Sequence, residues 1–362
     1  MENRIPLAVI AGPTASGKTA AGVRVAQLLG GEVISADSMQ IYKHLTVGTA
    51  KPLVQEMQGV PHHLIDFLEP SESFSVADYV RLARQQIEQV HQRGHLPVLV
   101  GGTGLYISSL VDNIQFSQED GDPQLREQLK GFAEQNGVQA LWQRLDEVDP
   151  AAAQKIHPNN VGRVVRALEV FYTTGTPISR QQELSRQQPS PYRLCMMALG
   201  FRDRQKLYDR INLRVTRMVE DGLEQEARWL REQGYSATSF QAIGYKEMGL
   251  YLDGEETLEQ ACERIRQESR RYAKRQLTWF RRDERYHWFW ADEFADAEQM
   301  HRQIFHCAAA LRTDNVWTPA VFGKTVCDIA CQHPGRITPQ IIFVVLADIF
   351  VIVKVLNRVI CW

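Results

Sequence analysis

Residues 12–19 read Gly-Pro-Thr-Ala-Ser-Gly-Lys-Thr, a glycine, four residues, then glycine, lysine and a hydroxyl side chain. Each residue type has a job on an anion. Gly12 and Gly17 let the backbone turn its amides inward, with Pro13, Thr14, Ala15 and Ser16 filling the turn between them. Lys18 adds a mobile cation, and the Thr19 hydroxyl can ligate Mg²⁺. An apolar run, Pro6 to Ala11, precedes the motif and a helical pattern from Lys18 to Leu29 follows it. Strand, loop and helix in that order predict a cradle for a di- or triphosphate.

A carboxylate follows in Ser35-Ala36-Asp37-Ser38-Met39-Gln40, just after a short predicted strand, Glu32 to Ile34. In parallel α/β sheets ligands meet the carboxyl ends of strands, which brings Asp37 near the phosphate loop as a proton acceptor for an incoming group. A helix N-cap is the structural alternative for Asp37. Ser38 and Gln40 either read the acceptor by hydrogen bonding or form a turn. A hydrolysing phosphate-loop motor ends an apolar strand in an acid that holds Mg²⁺. Here Pro97 to Val100 runs into Gly101-Gly102-Thr103-Gly104, which argues against a motor.

Cations form two further groups. Arg210 and Arg214 lie one helical turn apart, and two planar guanidinium forks suit a phosphate clamp, with pairing to Asp209 or Glu220 as the alternative. Between residues 264 and 285 stand nine cations: Arg264, Arg266, Arg270, Arg271, Lys274, Arg275, Arg281, Arg282 and Arg285. Arg264, Arg271, Arg275 and Arg282 share one helical face, and Ile265, Tyr272 and Trp279 share another. That helix either packs one side on the core and shows phosphates the other, or is a solvated, salt-bridged face. The aromatic set Trp279, Phe280, Tyr286, Trp288, Phe289 and Trp290 reads as core rather than as a stacking platform. His62 and His63 read as loop, and Cys327, Cys331 and His333 lack the second pair a zinc site needs.

The elements that must position these groups follow from periodicity. Strand, helix, strand, helix (Ser75 to His91), strand over the first hundred residues is the pattern of a doubly wound parallel sheet. Residues 1–111 are its first part. From 112 to 192 come strandless helical segments, Leu125 to Gln135, Val138 to Leu145, Ala151 to Ile156 and Val161 to Tyr172, read as a helical insertion. Residues 193–312 return to the sheet at Leu194 to Leu199, then carry a long helix from Arg202 to Gln233. Helices at Ala242 to Leu252 and Leu258 to Arg282 and a last strand at Tyr286 to Trp290 complete them. Residues 313–362 differ in kind: Ile341 to Leu356 is apolar but for Asp348 and Lys354. At sixteen residues it is shorter than the roughly 20 of a membrane helix, so a buried or partner-bound segment is expected.

The chain has 362 residues, 44% hydrophobic and 23% charged, with a net charge of −2, so any polyanion must meet a local basic surface. Six scattered cysteines fit reduced thiols, and no signal-peptide pattern precedes the phosphate loop; a cytoplasmic protein is expected. On residues alone, a nucleoside or small-molecule kinase and a non-catalytic RNA-binding module are both open.

The phosphate loop joins Asp-Ser-Met-Gln (37–40), Gly-Thr-Ala-Lys-Pro (48–52), His-His-Leu-Ile-Asp (62–66), Gly-Gly-Thr-Gly-Leu-Tyr (101–106) and Arg-Ala-Leu-Glu-Val (166–170). Gln-Ala-Ile-Gly-Tyr-Lys-Glu-Met (241–248) and Arg-Gln-Leu-Thr-Trp-Phe-Arg (275–281) follow. In this order they resemble the bacterial tRNA dimethylallyltransferases, from residue 5 to about 311, with the tail from 313 departing from the pattern. The resemblance implies a P-loop NTPase-like parallel core with a helical insertion domain. It also implies Mg²⁺-dependent transfer of a dimethylallyl group from dimethylallyl diphosphate to the adenosine 3′ of the tRNA anticodon.

By the same resemblance residues Thr14 to Thr19 hold the diphosphate, Thr19 holds Mg²⁺, Asp37 is the general base and Arg214 contacts diphosphate. Thr103 and Arg126 touch tRNA. So do the stretches Asp37 to Gln40, Gly162-Arg163-Val164-Val165-Arg166 and Gln241-Ala242-Ile243-Gly244-Tyr245-Lys246. Gly162 and Val164 depart from some relatives. A prenyltransferase of free adenine nucleotides is a nearer rival, with little use for the basic helix or the insertion. The implied protein is a monomer with no membrane partner.

Overall fold

The structure, a computed structural model, describes residues 4–116, 122–185, 187–233 and 237–312. In chain order the first elements are β1 (Ile5–Ala11), α1 (Lys18–Leu29), β2 (Gly31–Ala36), α2 (Val54–Met57), β3 (His62–His63), α3 (Val76–Gln92), β4 (Leu96–Gly101) and α4 (Gly104–Val111). Helices α5 (Pro123–Asn136), α6 (Val138–Val148), α7 (Pro150–Ala153), α8 (Val161–Thr174) and α9 (Ile178–Ser185) follow. Then come β5 (Tyr192–Gly200), α10 (Arg204–Glu220), α11 (Leu223–Glu232), α12 (Ala237–Phe240), α13 (Tyr245–Leu252), α14 (Leu258–Phe280), β6 (Tyr286–Trp290) and α15 (Ala297–Ala309).

Alternation along the central strands builds two cores at once. Leu7, Val9 and Ala11 of β1, Leu99 of β4 and Met196 and Ala198 of β5 face one side, where Tyr79, Ala83 and Ile87 of α3 and Ile107 and Leu110 of α4 cover them. Ala8, Ile10, Val98, Val100, Met197 and Leu199 face the other, beneath Val25 and Leu29 of α1 and Met300 and Ile304 of α15. Strands apolar on both faces are those of a parallel sheet sandwiched by helices. All strand pairs are indeed parallel, in the order β3-β2-β4-β1-β5-β6. The doubly wound α/β core expected from the sequence is the one observed.

Helices α5 to α9 pack Leu129, Leu141, Leu145, Val164 and Leu168 into a cluster of their own. A third cluster joins α10, α11, α13 and α14 to the segment around Ile41, Tyr42 and Leu45. The long helix expected over 202–233 is two helices, because Gly222 takes a left-handed φ of +102° between α10 and α11. The helices α2, α4, α9, α12 and α15 and the two-residue strand β3 were not among the expected elements. The chain divides into the units Met1–Leu311 and Arg312–Trp362. Cys327, Cys331, His333 and the run Ile341 to Leu356 lie outside the described residues. Among the described residues no helix is long and apolar enough to cross a membrane.

Candidate active site

The turn from β1 into α1 is tight for reasons of space and of backbone. A Cβ on Gly12 would stand 2.7 Å from the Leu199 carbonyl oxygen and 2.8 Å from Ser16 Oγ, so only glycine passes there. Gly17 has room around it but adopts φ +91° as the N-cap of α1, a conformation L side chains rarely take. Two groups from distant sequence brace the loop. Gln276 Oε1 accepts from the Thr14 amide at 2.9 Å, and Arg210 Nε donates to the Ala15 carbonyl at 2.8 Å. Ser16 Oγ is buried with no hydrogen-bond partner.

Lys18 is half-buried, and its Nζ reaches the Pro13 carbonyl at 3.4 Å. Burial pushes its ammonium down to about 8; the Asp37 carboxylate opposes this and Arg214 adds to it. Arg214 is likewise lowered by burial, with Asp37 opposing. Two cations are thus held where desolvation makes a second anion welcome. Asp37 follows β2 directly. Its Oδ1 accepts from the amides of Met39 (2.9 Å) and Gln40 (3.3 Å), which closes a turn and occupies one oxygen of the two; no helix begins there, so Asp37 is not the helix N-cap weighed from the sequence.

These residues line one cleft of about 320 Å³. Thr14, Lys18, Thr19 and Arg214 give it a cationic, hydroxyl-bearing end, and Ile211, Val215, Met218 and Ile265 give it an apolar wall. Asp37 to Gln40, Gly48 to Ala50, Gln241 to Ile243, Ser269, Tyr272, Arg275 and Gln276 complete the lining. A side chamber of about 20 Å³, large enough for a water, opens between Thr19, Asp37 and His62. The Gly48 to Ala50 wall is gripped from behind. Glu226 accepts from the amides of Thr46, Val47 and Gly48 and from the Tyr245 hydroxyl, and the Tyr245 ring fills the space a Gly48 side chain would need.

The sequence-derived residues distribute unevenly around this cleft. Gln241, Ala242 and Ile243 line it, Lys246 is exposed, and Gly244 caps α13 at φ +109°. Tyr245 is wholly buried against Glu226, so its side chain offers no surface to RNA. In α8 Gly162, Arg163 and Arg166 point outward, whereas Val164 and Val165 pack in the insertion core. The helical period makes a continuous five-residue contact impossible. Arg126 and Arg166 both pair with the fully buried Glu169, at 2.6 and 2.8 Å. Thr103 lies outside the cleft lining; its Oγ1 accepts from the Ser38 amide at 3.0 Å.

The arginine groups also separate. Arg214 enters the cleft, while Arg210 braces the phosphate loop from an exposed position. Along α14 and the turn after it, Arg264, Arg266, Arg270, Arg271 and Arg285 are ion-paired, the last to Asp112 and Asp283. Among the described residues Lys274, Arg275, Arg281 and Arg282 have no carboxylate partner. The stripe Ile265, Tyr272, Trp279, read as the side that could pack on the core, is buried only at Ile265; Tyr272 lines the cleft and Trp279 is 38% exposed. Sequence reasoning missed Gln276, Glu226 and Met218, although Gln276 and Tyr272 share the face of the basic helix that carries Ile265.

A parallel sheet with an anion cradle after its first strand and cations in the adjoining cleft defines the phosphate-loop class of α/β proteins. Within that class residues 40–283 match the model of the IPP transferase family, and the chain belongs to that family. It is 48% identical over 308 residues to the tRNA dimethylallyltransferase of Caldanaerobacter subterraneus, covering 84% of this chain and 98% of that one. Its identity to the tRNA dimethylallyltransferase of Halalkalibacterium halodurans is 51% over 284 residues, 78% of this chain and 90% of that one. Among solved structures it is similar to the tRNA isopentenylpyrophosphate transferase of Bacillus halodurans, with TM-score 0.64 and 48% identity over 84% and 96% of the two chains. A eukaryotic dimethylallyltransferase acting on tRNA is also similar, with TM-score 0.67 and 31% identity over 76% and 70%.

Proposed function

We propose that this chain transfers the dimethylallyl group of dimethylallyl diphosphate to the exocyclic amine of the adenosine 3′-adjacent to the anticodon in tRNA, releasing diphosphate. One observation carries the reading: Lys18, Arg214, Asp37 and an apolar wall share a single cleft in a chain of this family. Breaking the allylic carbon–oxygen bond puts positive charge on the alkyl group and negative charge on the departing diphosphate. The loop amides, Lys18 and Arg214 stabilise the latter, and the wall of Ile211, Val215, Met218 and Ile265 accommodates the five-carbon group.

The adenine amine is a poor nucleophile because its lone pair is delocalised into the ring. As its nitrogen bonds to the allylic carbon, Asp37 takes the amine proton on the oxygen that the turn amides leave free. No phosphoryl group moves, which accounts for the Gly-Gly-Thr-Gly sequence where a motor carries an acid. Bringing the base into the cleft requires flipping it out of the anticodon stack, at a cost of roughly a few kcal/mol that phosphate contacts offset.

Mg²⁺ fits the donor set. Thr19 lines both the cleft and its side chamber, and Asp37 and Ser35 line the side chamber with it. Among the described residues no cluster of three His, Cys, Asp or Glu side chains is placed to hold a metal, so the ion would complete its shell with diphosphate oxygens and water. When bound it would neutralise charge on the leaving diphosphate. The working protein is read as a cytoplasmic monomer.

The test is a competition. The chain is incubated with dimethylallyl diphosphate, ATP, Mg²⁺ and unmodified tRNA, and the nucleosides are analysed by mass. One adenosine heavier by a dimethylallyl group is expected. ADP formation without a modified adenosine would select the kinase reading instead.

A further inference from the structure

We infer that Trp279 is a stacking platform at the rim of the cleft, receiving a nucleobase next to the adenosine that enters it. This assignment rests on the proposed tRNA substrate and goes beyond it by naming a contact with a base rather than with phosphate. Trp279 is 38% exposed on a helix whose other large side chains near it, Leu277 and Phe280, are buried.

The indole is mounted rather than loose. A Cβ on Gly104 would meet its Cδ1 at 2.3 Å and both Cγ and Nε1 at 2.6 Å. Three pyrrole atoms at nearly equal distances from one point mean that the point stands over the ring face, not off its edge. The absent side chain of Gly104 therefore lets the indole lie flat on the backbone where α4 begins. Burial of one aromatic face against backbone leaves the opposite face for a stacking partner.

Position ties this face to the reaction. Along α14 Ile265, Tyr272 and Gln276 line the cleft and Trp279 follows them on the same helical face, outside the lining, and Gln276 Nε2 donates to the Gly102 carbonyl at 2.9 Å. Gly104 follows Thr103, which holds the Ser38 amide, and Ser38 follows Asp37. A base stacked on Trp279 is thus a short step along an RNA strand from one presented to Asp37. Charge selects RNA as the occupant. Lys274, Arg275, Arg281 and Arg282, the cations of this helix and the turn after it without carboxylate partners among the described residues, all lie within a few residues of Trp279. A base offers a π-face of any sequence, and such stacking is worth about 1–3 kcal/mol.

The experiment uses the full chain and unmodified anticodon stem-loop RNAs with 2-aminopurine on one or the other side of the target adenosine. On binding, the fluorescence of one of the two positions should be quenched by wild-type protein. Trp279→Ala should abolish that quench and raise KM for RNA about 10-fold, leaving KM for dimethylallyl diphosphate within two-fold; Trp279→Phe should restore most of both.

An unchanged RNA KM and an unchanged quench in Trp279→Ala would overturn the platform. So would equal rises in both KM values, which would make the indole a prop for residues 102–104. If iodide in the RNA-free chain quenches wild type no more than Trp279→Phe, the ring is already covered by the chain itself and the proposal falls. Failure of wild-type protein to prenylate either RNA would instead remove the proposed function.

Discussion

At the residue scale the site depends on two charges that are held short of full satisfaction. Asp37 spends one oxygen capping its own turn, so replacing it has a structural and a chemical effect that must be told apart. Asp37→Asn keeps an oxygen for the Met39 and Gln40 amides but cannot take a proton. We expect it to lower kcat by about 10²–10⁴ with RNA affinity within a few-fold, and Asp37→Ala to do the same with some added loss of stability. Single-turnover transfer together with equilibrium RNA binding checks both; near-normal turnover in either variant would take Asp37 out of the chemistry. Lys18 makes the second prediction. With its ammonium down at about 8 in the free protein, a bound diphosphate must raise it, so binding near pH 8 takes up about half a proton. The sign follows: affinity is full below pH 8 and falls as pH rises past it. Titration calorimetry at pH 8 in two buffers of different ionisation enthalpy measures the uptake, and Lys18→Met should abolish it.

At the element scale α14 is the part the sequence described least well, and the reason is instructive. Its composition announces a basic helix, but which cations are free depends on partners such as Glu256, Glu259 and Glu263, whose reach no helical wheel encodes. The phosphate loop, by contrast, was legible to the residue, since its glycines are dictated by local space and backbone angle. Gln276 and Glu226 were not legible because each acts on a segment far away in the chain, at Thr14 and at residues 46–48. Two expectations follow. Charge reversal at Arg275 and Arg282 should flatten the salt dependence of tRNA binding by about 0.7–0.9 in slope for each phosphate no longer neutralised, whereas reversal at Arg264, already paired with Glu256, should leave the slope nearly unchanged. Equal slopes across the three would mean that the whole helix is a solvated face. Glu226→Ala strands three backbone amides and the Tyr245 hydroxyl, at a cost of about 1–3 kcal/mol for each group that stays buried. Faster hydrogen exchange at Thr46 to Gly48 would report it.

On the scale of the whole molecule the sheet keeps its chemistry and its fastening at opposite ends. Asp37 and the phosphate loop stand past the carboxyl ends of β2 and β1, whereas Glu32 stands at the start of β2, 3% exposed. Arg93 holds it through two bonds, at 3.1 and 2.7 Å, and His63 and His95 each approach one oxygen at 2.5 Å, so one carboxylate ties β2 to β3 and to the entry of β4. The sheet order that makes this meeting possible was foreseen only as a class, and the cluster itself draws on residues 61 and 63 positions further along the chain. Burial alone would raise the carboxyl of Glu32; the hydrogen bonds from Arg93, His95 and His63 override it and hold the group down to about 2. A carboxylate lowered on folding contributes stability that is fully present above its unfolded value near 4.5 and is lost as pH falls from there toward 2. Acid unfolding followed by circular dichroism should therefore show its steepest loss within that window, and Glu32→Gln should flatten the slope there and lower Tm at neutral pH. Because Glu32, His63, Arg93 and His95 do not line the cleft, the variant that still folds should keep its KM for dimethylallyl diphosphate. A shifted KM would mean that the two ends of the sheet are mechanically coupled, and that fastening and function are not separable in this molecule.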